Sequence, residues 1–147
     1  MEGRAVTLEI LGTNEQEIAY LAGIFDGEGC ISTASNYRLP ITSRSLQLGI
    51  GMTTAEPLYL CSSIFGGKIR QRQETSRKKV LFYWYLYGHR AETFLRVVQP
   101  YLTVKRDKAA LALSFIACGH GNTPRKLELA ELITPHQAKN HDVNPDE

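Results

Sequence analysis

The spacing of apolar residues along the chain alternates between helical and strand periods, and the changes fall at glycines and prolines. Asn14 suits the cap of a helix opened by Glu15 and Glu17, whose carboxylates favour the positive end of the dipole. The helix is expected to run to about Asp26, with Gly27 and Gly29 ending it. Over residues 30–38 and 44–53 the period becomes two, with Leu46, Leu48, Ile50 and Met52 on one face and Ser45, Gln47, Gly49, Gly51 and Thr53 on the other. The Leu39-Pro40-Ile41-Thr42 stretch is the turn region between these strands. Residues 54–64 read as a helix with Pro57 in its first turn and Gly66-Gly67 as its stop. Strands at 68–73 and 79–87 follow, the second turning Val80, Phe82, Trp84 and Leu86 inward. Helices at 89–98, 105–117 and 123–133 complete a single domain over residues 1–133, and residues 134–147 form a polar tail expected to be mobile.

This order predicts an α+β fold of αββαββα topology, in which one four-stranded antiparallel sheet is backed by helices on one face. The other face stays free. It presents Ser32, Ala34, Asn36 and Arg38, the polar set of the second strand, then Lys68, Arg70 and Arg72, and Tyr83 and Tyr85. These are polar, basic and aromatic side chains rather than the apolar set that another core layer would need, and such a face can read base edges in a major groove.

Charge strengthens that reading. The net charge of +2 conceals a basic middle: residues 36–108 hold thirteen Lys or Arg against four acids, a balance of +9, while the rest of the chain carries −7. A polyanion would select such a footprint, although a solvated hairpin accounts equally well for the densest run, residues 68–79. No apolar run approaches the roughly 20 residues of a membrane span, and the acidic N-terminal stretch is unlike a signal peptide, so an intracellular protein is expected. Cys30, Cys61 and Cys118 are widely spaced and expected to be buried free thiols. Cys118, His120, His136 and His141 fall in a helix end and the polar tail, which argues against a structural zinc site.

The first helix ends in Leu21-Ala-Gly-Ile-Phe-Asp-Gly-Glu-Gly29, which resembles the signature of the LAGLIDADG homing endonucleases. Residues 83–105 resemble the later half of that family, and the likeness spans roughly residues 15–117. Ala19, Ala22 and Gly23 are small residues that let a second backbone approach closely. The family builds its active site from two such helices. With one copy of the motif here, the resemblance implies a homodimer, with Asp26 bracing helix ends at the interface, and a pseudo-palindromic DNA target.

The resemblance further implies that Glu28, just past the helix end, and the carbonyl of Gly27 hold Mg²⁺. Mn²⁺ is expected to substitute, and Ca²⁺ to bind without supporting cleavage. Many members carry Asp where this chain has Glu28; either supplies a carboxylate. Lys105 aligns with the family's active-site lysine, and Thr54 falls where relatives place a longer water-ordering residue, with Leu58 where some have a basic one. The implied activity is site-specific hydrolysis of double-stranded DNA that leaves 3′ overhangs. Arg70 and Arg72, then Arg38, Arg44, Gln47, Asn36 and Tyr83, are the expected base contacts, and Lys68, Lys78 and Lys79 the phosphate contacts. An RNA-binding intron maturase and a DNA-binding module without cleavage stay open as alternatives. A pure binder, however, has no need of Glu28 and Lys105.

Overall fold

The computed structural model describes residues 8–35, 44–73, 79–121 and 123–135. A helical turn at residues 8–11, which the hydrophobic period does not signal, precedes helix α1 (Glu15–Glu28). Asn14 caps α1, its side-chain oxygen accepting from the Glu17 N–H at 3.0 Å. Beyond it come β1 (Gly29–Ser35), β2 (Arg44–Met52), α2 (Glu56–Phe65), β3 (Ile69–Gln73) and β4 (Val80–Tyr87). The chain continues through α3 (Gly88–Val98), a 3-10 turn (Gln99–Tyr101), α4 (Arg106–Ala117) and α5 (Pro124–Ile133).

Helix α1 runs two residues further than expected. The Gly29 N–H still donates to the Phe25 carbonyl, so Gly27 and Glu28 belong to the last helical turn, and Gly29 then bends into the extended backbone of β1. The expected turn at residues 39–42 lies outside the described residues, as does the tail beyond residue 135. Thr134, placed at the start of that tail, is anchored: its hydroxyl oxygen accepts from the Thr33 N–H at 2.9 Å.

All strand pairs are antiparallel, in the order β1-β2-β4-β3. The fold is thus α+β, a four-stranded antiparallel sheet with helices on one face. Period-two alternation sorts the sides. Ile31, Leu46, Leu48, Ile50, Trp84 and Leu86 are buried under the helices, while Phe82 and Val80 become progressively more exposed toward the outer end of β4. Phe94 of α3 sits at the middle of the core, its ring centroid 5.0 Å from those of Phe25 and Phe65 and 5.4 Å from that of Trp84, all edge to face. The Trp84 indole N–H donates to the Gly66 carbonyl at 2.8 Å, which satisfies its polar atom. Thr33, a polar residue within this core, is also satisfied, its hydroxyl donating to the Ala130 carbonyl of α5 at 3.1 Å.

Of the three cysteines, Cys61 is buried, and burial pushes its thiol up to about 12, so it stays protonated. Cys118 is half-buried at the end of α4, and Cys30 is exposed. Cys30 follows Gly29 on β1 with the opposite parity to buried Ile31, which turns it to the free face and corrects the expectation that all three are buried.

Phe94 has aromatic neighbours from α1, α2 and β4. Phe94→Ala should therefore lower stability by about 3–5 kcal/mol, measured as a shift of the denaturant midpoint at unchanged m-value.

Candidate functional site

Helix α1 carries no basic residue in its last turn, and the cation that suits its negative end comes from elsewhere in the chain. Lys105, the residue preceding α4, donates from Nζ to the Asp26 carbonyl at 2.6 Å and lies 6.0 Å from the centre of the Phe25 ring. In return, the Asp26 carboxylate stands at the positive start of α4. Its Oδ2 accepts from the Thr103 N–H at 2.7 Å and its Oδ1 from the Lys105 N–H at 2.9 Å. Burial works against the charge on Asp26. The backbone N–H groups of Thr103, Lys105 and Val104, together with the Lys105 ammonium, outweigh it and hold the carboxyl below its ordinary value of 3.8. A further bond, from the Tyr101 hydroxyl to Glu15 Oε1 at 2.7 Å, ties the same segment to the start of α1. Asp26, expected at a boundary between copies, thus makes its bonds within its own chain.

Glu28 completes the last turn of α1 and is exposed, without an ion-pair or hydrogen-bond partner among the described residues. A carboxylate at the negative end of a helix is locally unfavourable, by about 0.3–1 kcal/mol. Among the described residues, no three His, Cys, Asp or Glu gather, so the side chains of one copy do not enclose a metal ion. The donors at this corner are oxygens, the Glu28 carboxylate and the terminal carbonyls of α1 including that of Gly27, and oxygen donors fit Mg²⁺. Thr54 is exposed in the connection between β2 and α2, and Leu58 is fully buried in α2.

Of the small residues expected at the interface, Ala22 separates from Ala19 and Gly23. Ala22 packs in the core with Ile18, Leu21 and Phe25, because it lies one turn from Ile18 on the inward face. Ala19 and Gly23 are exposed, next to exposed Tyr20 and Gly27. A Cβ built at Gly23 or Gly27 meets nothing within 4 Å, so nothing among the described residues requires glycine at either place.

The free face of the sheet matches the expected alternation. Its transverse rows are Ser32·Gln47·Tyr87, Cys30·Gly49·Tyr85 and Gly51·Tyr83·Arg70, with Leu81·Arg72 beyond them. The Tyr83 and Tyr85 rings stack in parallel, centroids 6.1 Å apart, and lie across the two glycines of β2. A Cβ at Gly49 or Gly51 would approach the Tyr85 or Tyr83 ring to 2.8 Å, so only glycine permits this flat aromatic floor. Arg70 and Arg72 are exposed on the edge strand, Lys68 is exposed just before it, and Lys79 is exposed just before β4. Arg44 opens β2, while Asn36, Arg38 and Lys78 lie outside the described residues. The sequence reading missed Arg90, exposed in the first turn of α3, which lines a cavity of about 460 Å³ with Lys68, Arg70, Tyr85 and Tyr87. The only signal was its membership of the basic middle.

Neither the protein-family models nor the curated proteins give a match to this chain. Solved structures do. The homing endonuclease I-CvuI, in complex with an I-CreI target in the presence of Mg and with the DNA not cleaved, is 24% identical over 85% of this chain and 86% of its own, with a TM-score of 0.67. The archaeal intron-encoded homing endonuclease I-Vdi141I, complexed with DNA, is 16% identical over 85% and 86%, with a TM-score of 0.65. The fold is that of the LAGLIDADG homing endonucleases. The LAGLIDADG meganuclease I-AabMI, bound to uncleaved DNA, matches 88% of this chain with 49% of its own, at 16% identity and a TM-score of 0.62. The described helices include none long and apolar enough to cross a membrane.

Asp26→Asn removes the charge and one acceptor, and should lower stability by about 2 kcal/mol at neutral pH. The folded-state pKa of Asp26 lies below the ordinary one, so its contribution is present above 3.8 and is lost as the pH falls through the folded value. The difference between the wild type and the variant, measured by urea unfolding, should narrow in acid over that window.

Proposed function

We propose that this protein is a homodimeric, metal-dependent, site-specific DNA endonuclease of the homing type. The observation that carries the reading is the corner at the end of α1, where an exposed Glu28 carboxylate, unpartnered among the described residues, stands at the unfavourable end of its helix, and a lysine is held at the same helix end by Asp26. Local rules fail at functional sites, and an exposed carboxylate at this place is suited to bind a cation. The likeness to DNA-bound homing endonucleases supports the same reading.

Glu28 of each copy, with the Gly27 carbonyl, would hold Mg²⁺ at the scissile phosphates; when bound, the ion stabilises charge on the attacking and leaving oxygens. Lys105 spends one of its three N–H donors on the Asp26 carbonyl and keeps two for a phosphate oxygen, where it stabilises developing charge. Thr54 is a shorter candidate for ordering water at this corner. Gln47, Arg70, Arg72 and Tyr83 face the bases in a major groove, joined by Asn36, Arg38 and Arg44, while Lys68, Lys78 and Lys79 contact phosphates.

Two copies are needed because one supplies a single catalytic carboxylate. The exposed face of α1, with Ala19, Gly23 and Gly27, offers a close helix pairing that the described residues leave unused. The match of the chain to half of a longer meganuclease is consistent with such pairing. Two-fold symmetry makes the target pseudo-palindromic, with one phosphodiester cut on each strand across the minor groove and 3′ overhangs left.

Incubation with a randomised library of DNA sites in Mg²⁺, and then in EDTA, tests the reading. Cleavage is expected only in Mg²⁺, and a protein that binds sites but cuts none of them is not this enzyme. Glu28→Gln should abolish cleavage and spare binding; loss of both would make Glu28 structural. Gly23→Leu should leave the monomer at least as stable, since glycine costs about 1 kcal/mol within a helix. The same variant should sediment as a monomer and lose cleavage, whereas an unchanged dimer would exclude α1 as the interface.

A further inference from the structure

At the outer corner of the sheet, the chain turns through Gly66 and Gly67, both at positive φ, and runs into β3. A Cβ at Gly67 would come within 2.9 Å of the Trp84 indole nitrogen, the Tyr85 carbonyl and Leu86, so the turn lies tight against β4. That closeness sets Lys68 and Arg70 beside the end of β4, where α3 begins and presents Arg90. These three cations and the rings of Tyr85 and Tyr87 surround the cavity of about 460 Å³. Among the described residues, no carboxylate pairs with any of the three. Glu92, the nearest acid in sequence to Arg90, is taken by Arg96 at 3.0 Å.

Like charges held together without a counter-ion are unfavourable by themselves, and they point to an anion as the absent partner. A small-molecule site would be mostly apolar with few convergent polar groups. This lining sets three cationic side chains and two tyrosines beside Leu86 and Gly67, with Lys68, Arg70, Tyr87 and Arg90 all exposed, which suits an anion that stays partly in water. Its position narrows the identity. The cavity lies at the β3 edge, three strand spacings or about 14 Å from β1. A B-DNA major groove is about 12 Å wide, so a sheet whose middle strands face the bases brings its outer edge to the groove wall, where the phosphates are.

We infer that Arg90, with Lys68, forms a seat for a backbone phosphate of duplex DNA at the outer corner of the sheet, beside the base-facing Arg70. This rests on the DNA-binding reading above and adds to it a residue from a helix rather than from the sheet. Arg90 positions the duplex and does not read its sequence.

The test measures equilibrium binding of the wild type, Arg90→Ala and Arg90→Lys to a randomised duplex pool and to a selected site, from about 50 to about 200 mM salt. Arg90→Ala should weaken binding to both duplexes alike, roughly tenfold, and reduce the slope of log affinity against log salt by about 0.9. Arg90→Lys should recover most of the slope, and the thermal midpoints of all three should agree because the side chain is exposed. A variant that matches the wild type in affinity and slope overturns the seat. So does one that loses discrimination between the selected site and the pool at unchanged slope, which would make Arg90 a base reader. A wild type that binds no duplex at all removes the DNA reading itself, a result distinct from either of these.

Discussion

The corner between the end of α1 and the start of α4 depends on an exchange between two helix ends. Helix α1 leaves carbonyls unpaired at its end and has no basic residue in its last turn, and α4 leaves N–H groups unpaired at its start, where its own first turn carries Asp107 but its N-cap residue makes no side-chain cap. Lys105 serves the first and Asp26 the second. Charge-assisted hydrogen bonds of this length are each worth about 1.5–3 kcal/mol, far more than an exposed ion pair. They act across 79 residues of sequence, next to Phe25 of the aromatic core, so the fold holds Lys105 against the last turn of α1. On the endonuclease reading, preorganisation of this kind would stabilise charge developing in a transition state without a reorganisation cost at the moment of reaction.

The sheet makes the opposite compromise. Its helix-covered face is filled by Trp84, Leu48, Ile50 and Leu86, and that burial carries the stability of the domain. The free face spends its central positions on glycines 49 and 51, which contribute nothing to packing and weaken a strand by themselves. What they allow is the flat Tyr83 and Tyr85 floor. Around the floor, the cations have no carboxylate partner among the described residues, a repulsion that contact with a polyanion would relieve on the DNA-binding reading.

The elements were legible wherever one face is buried, because burial imposes the period. The β2 and β4 alternation, the Pro57 first turn and the Asn14 cap all appear in the structure as the residue pattern indicates. The errors lie where a single residue can serve two roles. Glycine at 27 reads as a helix stop, yet the backbone bond from Gly29 to Phe25 carries the helix through it and places Glu28 inside the last turn. Ala22 resembles its neighbours Ala19 and Gly23 in size, and only the core position of Ile18 one turn earlier separates them. Strand order, and with it the meeting of Arg90 with Lys68 and Arg70, depends on contacts distant in sequence that no local period encodes. The family likeness indicated the importance of Asp26 and Lys105 but not their mutual bonds.

On the two-copy reading, assembly and chemistry form one equilibrium. Glycines at the exposed face of α1 let two helices approach to about 8 Å but bury little area, so the pairing is weak in itself. It also brings together two Glu28 carboxylates, each already at the wrong end of a helix dipole, and their repulsion opposes the dimer. A cation between them reverses that term, and because it binds the pair better than the single chain it stabilises the dimer by mass action. A duplex that engages both sheets adds the effective concentration of a second tethered site. Partition of the active site between copies therefore makes cleavage conditional on three partners at once, and a lone chain on a half-site holds an incomplete centre.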